Sequence, residues 1–179
     1  MTLPNYVKLQ HLDSGIKELV INLNRIPQVY TQTTCEGHVW LDIHAWPAKN
    51  GFVHFQKPKD EHDGLVSRIK IYCHDNEIIQ LTKWPTNKDC DVKSYTINGL
   101  FEPHQGEDGL KPFSKMSEKE QAAYWNRAEV RKEEILRGWK DINNLVIDYI
   151  IKELCVIPSE LPYRNKQDKT DFRSFHCCH

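Results

Sequence analysis

Apolar residues at Ile16, Leu19, Val20, Leu23 and Ile26 recur at three- and four-residue steps, which predicts a helix from about Asp13 to Arg25. Asp13 or Ser14 can cap its start, and Pro27 stops it. The period then drops to two. Val29, Thr31 and Thr33 alternate with Tyr30, Gln32 and Thr34, so Gln28 to Thr34 reads as a strand. Val39, Leu41 and Ile43 alternate with Trp40, Asp42 and His44, which gives a second strand over Val39 to Ala45. Pro47 to Gly51 is a turn signal, and Gly51 to Phe55 reads as the returning strand. Pairing Trp46 with Phe52 would set His44 opposite His54, with Cβ atoms about 5 Å apart.

Asp63 to Cys73 carries two patterns. Leu65, Val66, Ile69 and Cys73 make a helical stripe, while Ile69 and Ile71 alternate as in a strand. The longer stripe favours a helix capped by Asp63. Glu77 to Trp84 reads as a strand ended by Pro85, Asp91 to Phe101 as another, and Glu102 to Lys115 as a loop. Ser117 and Glu120 have the spacing of a capping box. Behind it, Trp125, Ala128, Ile135, Trp139, Ile142, Val146 and Tyr149 continue a helical stripe to about Leu154, with Gly138 as a candidate bend. Unbroken, this helix would be about 57 Å long, more than a domain of this size spans. Either it breaks, or one end projects and finds a partner, most simply a second copy in a homodimer. The expected fold is α+β: one domain over residues 1–157 with a mixed or antiparallel sheet, an N-terminal helix and a long C-terminal helix, followed by a polar tail over 158–179.

Charge adds exclusions. The 179 residues contain 24 Lys and Arg against 25 Asp and Glu, a formal net charge of −1. No global field favours nucleic acid or an anionic membrane. Met1 to Leu12 lacks the basic and apolar segments of a signal peptide, and no apolar run approaches the roughly 20 residues of a bilayer span. A cytoplasmic protein without a membrane partner is the expectation. Cys35, Cys73, Cys90 and Cys155 are scattered, so reduced thiols are expected. His176, Cys177, Cys178 and His179 resemble a metal cluster, but four neighbours do not readily enclose one ion tetrahedrally. Arg164, Lys166, Lys169 and Arg173 in the same tail are offset by Asp168 and Asp171, which argues against a nucleic-acid arm.

The segment that concentrates chemistry is Thr33-Thr34-Cys35-Glu36-Gly37-His38, a thiol, a carboxylate and an imidazole around one glycine. Gly37 permits a sharp turn that would let the three side chains converge. Cys35 could be a nucleophile if a cation lowered its pKa. Cys35 and His38 could bind zinc, with His44 and His54 as further ligands and Asp42 as a ligand or a histidine's acceptor. Or Cys35, Glu36, Gly37, His38 and Asp42 could hold a small-molecule or nucleotide ligand. The bland alternative is a tight structural turn over a buried thiol. Trp40, Trp46, Phe52 and Phe55 flank the same region and could stack on a base or simply fill the core.

Leu23-Asn24-Arg25-Ile26-Pro27, then a strand, then Cys35-Glu36-Gly37-His38 resembles a group of small uncharacterised bacterial and phage proteins with a Ser-Cys-x-Gly-His loop. More remotely, Thr34, Cys35 and Gly37 resemble the Ser-Cys-Ser-Gly-Arg loop of the wybutosine-synthesising tRNA methyltransferases, with His38 in place of the arginine. That second resemblance implies S-adenosylmethionine as cofactor and RNA as substrate. The leading expectation is a ligand-binding pocket at the Cys35 loop. The alternative is a zinc-binding or interaction protein assembled through its long helix.

Overall fold

The computed structural model describes residues 13–39, 48–86, 90–101 and 115–161. Helix α1 (Lys17–Arg25) buries Leu19, Val20 and Leu23. Its N-cap position is Ile16, with no side chain bonded there. The expected cap, Asp13, instead accepts a hydrogen bond from the Glu36 amide at 3.1 Å. Strand β1 (Tyr30–Cys35) follows. A register shift between Thr31 and Thr33 breaks the predicted alternation. Thr31 lies opposite the core residue Phe55, whereas Thr33 lies opposite His54 on the other face. One extra residue in a strand moves everything after it to the opposite side.

Two short strands, β2 (His38–Val39) and β3 (Ala48–Lys49), pair with each other. Strand β4 (Gly51–Pro58) pairs with β1 on one side and with β6 (Val92–Gly99) on the other. The His44–His54 pairing therefore does not form, because His54 already lies between Thr33 and Thr96. Asp42 and His44 themselves lie outside the described residues, as do residues 102–114 and the 162–179 stretch with its terminal His and Cys residues. Strand β5 (Ile79–Lys83) completes an antiparallel sheet in the order β1-β4-β6-β5. The fold is α+β, as the pattern predicts.

Helix α2 (Asp63–His74) confirms the helical reading of its segment, although His62, with φ +56°, takes the N-cap position rather than Asp63. The ring of His62 ties three parts of the chain together. Nε2 donates to the Pro27 carbonyl at 2.8 Å, since a carbonyl can only accept, and Nδ1 accepts from the Tyr149 hydroxyl at 2.9 Å. Just before it, Lys57 is fully buried. Its ammonium donates to the carbonyls of Pro58, at 2.9 Å, and of Glu61, and meets the Asp63 carboxylate at 2.6 Å. That hydrogen bond holds the Asp63 carboxyl below its usual pKa.

Helix α3 (Glu118–Glu153) is continuous, about 54 Å long at about 1.5 Å per residue. The capping box forms: the Glu120 amide donates to the Ser117 hydroxyl, and the Glu120 carboxylate accepts from the Ser117 amide at 2.6 Å. Gly138 does not interrupt it. A Cβ there would lie 2.6 Å from Ile79 Cδ1, so the glycine is where the helix and the edge strand touch. Ala128, Ile135, Trp139, Ile142, Val146 and Tyr149 are all buried within one chain, and Trp125 is half-buried. The uncovered length that pointed to a second copy is thus absent from this stripe. Beyond the helix, Pro158–Glu160 form a 3-10 turn and Leu161 packs against the core. All three helices and the residues Val53, Phe55, Tyr95 and Ile97 share one apolar cluster on one face of the sheet. No helix among the described residues is long and apolar enough to cross a membrane.

Gly138→Ala discriminates packing from propensity. Alanine is favoured in helices by about 1 kcal/mol, yet overpacking against Ile79 costs about 1–3 kcal/mol. We expect net destabilisation by denaturant titration, and a smaller effect of the same substitution in an Ile79→Ala background, which removes both of the atoms the new Cβ would strike. A more stable single variant would show that the contact at Ile79 is loose.

Candidate functional site

The Cys35 loop is built into the scaffold on every side. Glu36 engages all its polar groups: its amide donates to Asp13, its carboxylate accepts from the Gly15 amide at 2.7 Å, and its carbonyl accepts from the Trp139 indole at 3.0 Å. Gly37 is buried with φ +95°, and a Cβ there would sit 3.0 Å from the Gly51 amide and 3.1 Å from the Phe101 ring. The loop thereby fastens α1, β4 and α3 together. That is the bland reading of the motif, and it leaves Glu36 engaged rather than aimed at a substrate. Cys35 is buried, 7% exposed, opposite Phe52. Of the candidate metal ligands, His38 belongs to β2 but its side chain lies outside the described part, as does all of His44, while His54 is half-buried on β4. Cys35 and His54 are diagonal neighbours on one face, about 7–8 Å apart by strand geometry. Among the described residues no group of three or more His, Cys, Asp or Glu could hold a metal ion.

That shared face is the one turned away from the helices, and register builds it in three rows across the strands. Cys35, Phe52, Asn98 and Gln80 form one row; Thr33, His54, Thr96 and Thr82 the next. Tyr30, Gln56 and Ser94 form the third, extended by Trp84, whose amide donates to the Ser94 carbonyl at 3.0 Å. None of these positions is Asp, Glu, Lys or Arg, although such residues make up 27% of the chain. The sheet's lysines sit on the helix side: Lys57 opposite Lys93, and Lys83 opposite Tyr95. A solvated sheet face ordinarily carries polar residues outward; this one is polar but uncharged.

Lateral hydrogen bonds fix the face. The Trp84 indole donates to the Thr96 hydroxyl at 2.6 Å, and His54 Nδ1 bonds the same hydroxyl at 2.8 Å. The two rings meet edge to face, with centroids 6.1 Å apart and planes at 70°. Gln56 donates to Ser94 at 3.0 Å and Asn98 to Thr82 at 3.2 Å. Trp84 nevertheless remains 50% exposed. An indole whose N–H is anchored while its ring stays in solvent is a preorganised apolar platform within a polar grid. Partial burial lowers the His54 pKa from its ordinary 6.5, so the imidazole is neutral at neutral pH and the face carries no charge at these positions.

Comparison with protein-family models, curated proteins and solved structures returns no match for this chain. The site stands on its geometry. Sequence reasoning named Cys35, Phe52 and His54 but missed Trp84, Thr96, Gln56, Ser94 and Asn98 as their companions. The available signal was the uncharged alternate positions along each strand.

Two outcomes follow from this geometry. Gly37→Ala forces a side chain into a left-handed conformation against Gly51, and we expect a loss of about 1–3 kcal/mol in chemical denaturation; an unchanged midpoint would mean that the turn tolerates a Cβ. For His54, the unfolded chain takes up a proton as pH falls through 6.5, whereas the folded ring resists until lower pH. Its contribution is therefore present above 6.5 and lost as pH falls from there toward the lowered native value. His54→Gln should flatten the acid-side fall of Tm in that window, and a slope equal to that of the unsubstituted protein would show that other groups set it.

Proposed function

We propose that the protein is a ligand-binding module whose ligand lies across the face of the sheet opposite α1, α2 and α3. The observation that supports this reading is the uncharged grid around a half-exposed, anchored Trp84. Binding sites pair an apolar surface with a few convergent polar groups held in place beforehand. Here the indole offers the apolar surface, while His54 and Thr96 are positioned by a bond to each other, Gln56 by its bond to Ser94 and Asn98 by its bond to Thr82. The ligand is uncharged and ring-bearing, because the face gives a charge no partner. This extends the expected pocket at the Cys35 loop to the sheet face that runs from Cys35 to Trp84. S-adenosylmethionine and zinc are both charged, and neither gains support from this surface.

Titration with methyl glycosides and with nucleosides, followed by the indole N–H signal of Trp84 and the ring signals of His54, tests the reading. We expect at least one of these uncharged ring compounds to move both sets of signals and to leave the Trp139 indole signal in place. Trp84→Ala should abolish the His54 response. If neither class of compound moves the Trp84 signal, the reading is wrong.

A further inference from the structure

Resting on that reading, we infer that the natural ligand is a neutral carbohydrate chain laid flat on the three rows of the sheet face. Three observations carry the choice. First, the face is extended: three rows along the strands and four strands across give roughly 13 Å by 14 Å at ordinary strand spacings, with Thr33, Gln80, Thr82 and Trp84 exposed on it and the small Cys35, Ser94 and Thr96 buried among larger neighbours. A chain of sugar rings can reach from exposed Thr33 across the middle row to Trp84, whereas a single small molecule is ordinarily enclosed in a concave pocket. Second, the hydrogen-bonding groups are neutral and their directions are fixed. Gln56 and Asn98 each have the amide nitrogen engaged laterally, and within the described residues nothing bonds their amide oxygens. Those oxygens are acceptors for hydroxyl donors, while a pyranose presents hydroxyls around its rim and C–H groups on its faces. The C–H face matches the exposed ring of Trp84, beside which His54 stands at 70° as a side wall. Third, charge separates this ligand from the other polymer that stacks on aromatic sheet faces. Single-stranded nucleic acid brings one phosphate per nucleotide and draws its affinity largely from cations. The three rows contain no Lys or Arg, and the nearest sheet lysines, Lys83 and Lys93, take the helix-side positions of the register.

The test is electrophoresis of the full chain in native gels containing hydroxyethylcellulose, amylopectin or galactomannan, beside gels with poly(U). We expect retardation by at least one of the three neutral polysaccharides, with little change between about 50 and 200 mM salt, a range over which phosphate contacts lose most of their affinity. Trp84→Ala should weaken that retardation about tenfold or more, as loss of a central aromatic anchor does. Thr82→Lys is the second variant. Thr82 is exposed in the middle row, so a lysine there leaves the core intact and places a desolvated charge under the chain; it too should weaken binding. Retardation by none of the three polysaccharides overturns the inference, as does salt-sensitive retardation by poly(U) alone. If nucleosides still move the Trp84 signal in that case, the ligand-binding face survives and only the carbohydrate assignment falls. If full retardation persists in both variants, binding is elsewhere and the inference is wrong.

Discussion

The structure depends on where the Trp139 indole finds its acceptor. Trp139 is the largest fully buried side chain among the described residues, and its N–H reaches the carbonyl of Glu36. A buried donor left without a partner costs about 1–3 kcal/mol, so α3 must cross the sheet where β1 runs into its following loop. Three glycines make that crossing close enough. A Cβ at Gly99 would lie 2.7 Å from Ile135 and 2.9 Å from Trp139, one at Gly138 would strike Ile79, and Gly37 admits Gly51. Asp13 and Gly15 then bind Glu36 from the entry to α1. A single residue thereby links the first helix, the sheet corner and the long helix.

Much of this was legible in the chain. Local periodicity found the three α-helices and the main strands of the described residues, because helix and strand repeats depend only on neighbours in sequence. What it could not find were decisions made by partners far along the chain. Gln32 gives no sign of the bulge that separates Thr31 from Thr33 in facing. Gly138 reads as a helix breaker, yet it marks contact with Ile79, a residue of another element altogether. Proximity in sequence suggested that the strand before Pro47 returns along Gly51 to Phe55, whereas β4 is flanked by β1 and by β6, which comes much later. The candidate site followed the same rule. The conjunction of Cys35, Glu36, Gly37 and His38 stood out because those residues are consecutive. The Trp84–Thr96–His54 arrangement did not, because it takes one residue from each of three segments that register alone brings together.

The sheet carries its lysines on the helix side. Lys57 occupies a buried position at the end of β4, and it is tolerated because its ammonium meets backbone carbonyls and Asp63 together. Buried cations are stable only when so surrounded. The same acceptors, Pro58, Glu61 and Asp63, lie along the turn into α2, in which His62 bonds Pro27 and Tyr149. Charge on the helix side therefore serves folding. The other face needs no charge for stability, and the absence of any from its three rows is a property of the surface rather than of the core.

Strand β4 shows how one sequence satisfies both demands. Gly51, Val53, Phe55 and Lys57 are buried toward the helices, and Phe52, His54 and Gln56 alternate with them toward the grid. Because the strand period is two, the two sets are independent in side-chain chemistry but locked in register. A substitution at Phe55 acts through packing against Tyr95, whose ring stacks on it at 5.6 Å. One at His54 acts through Thr96 and Trp84. The core can therefore hold the aromatic corner rigid without contributing an atom to it. The corner, for its part, can vary in ligand chemistry without disturbing the contact between Trp139 and Glu36 on which the sheet and the long helix rely.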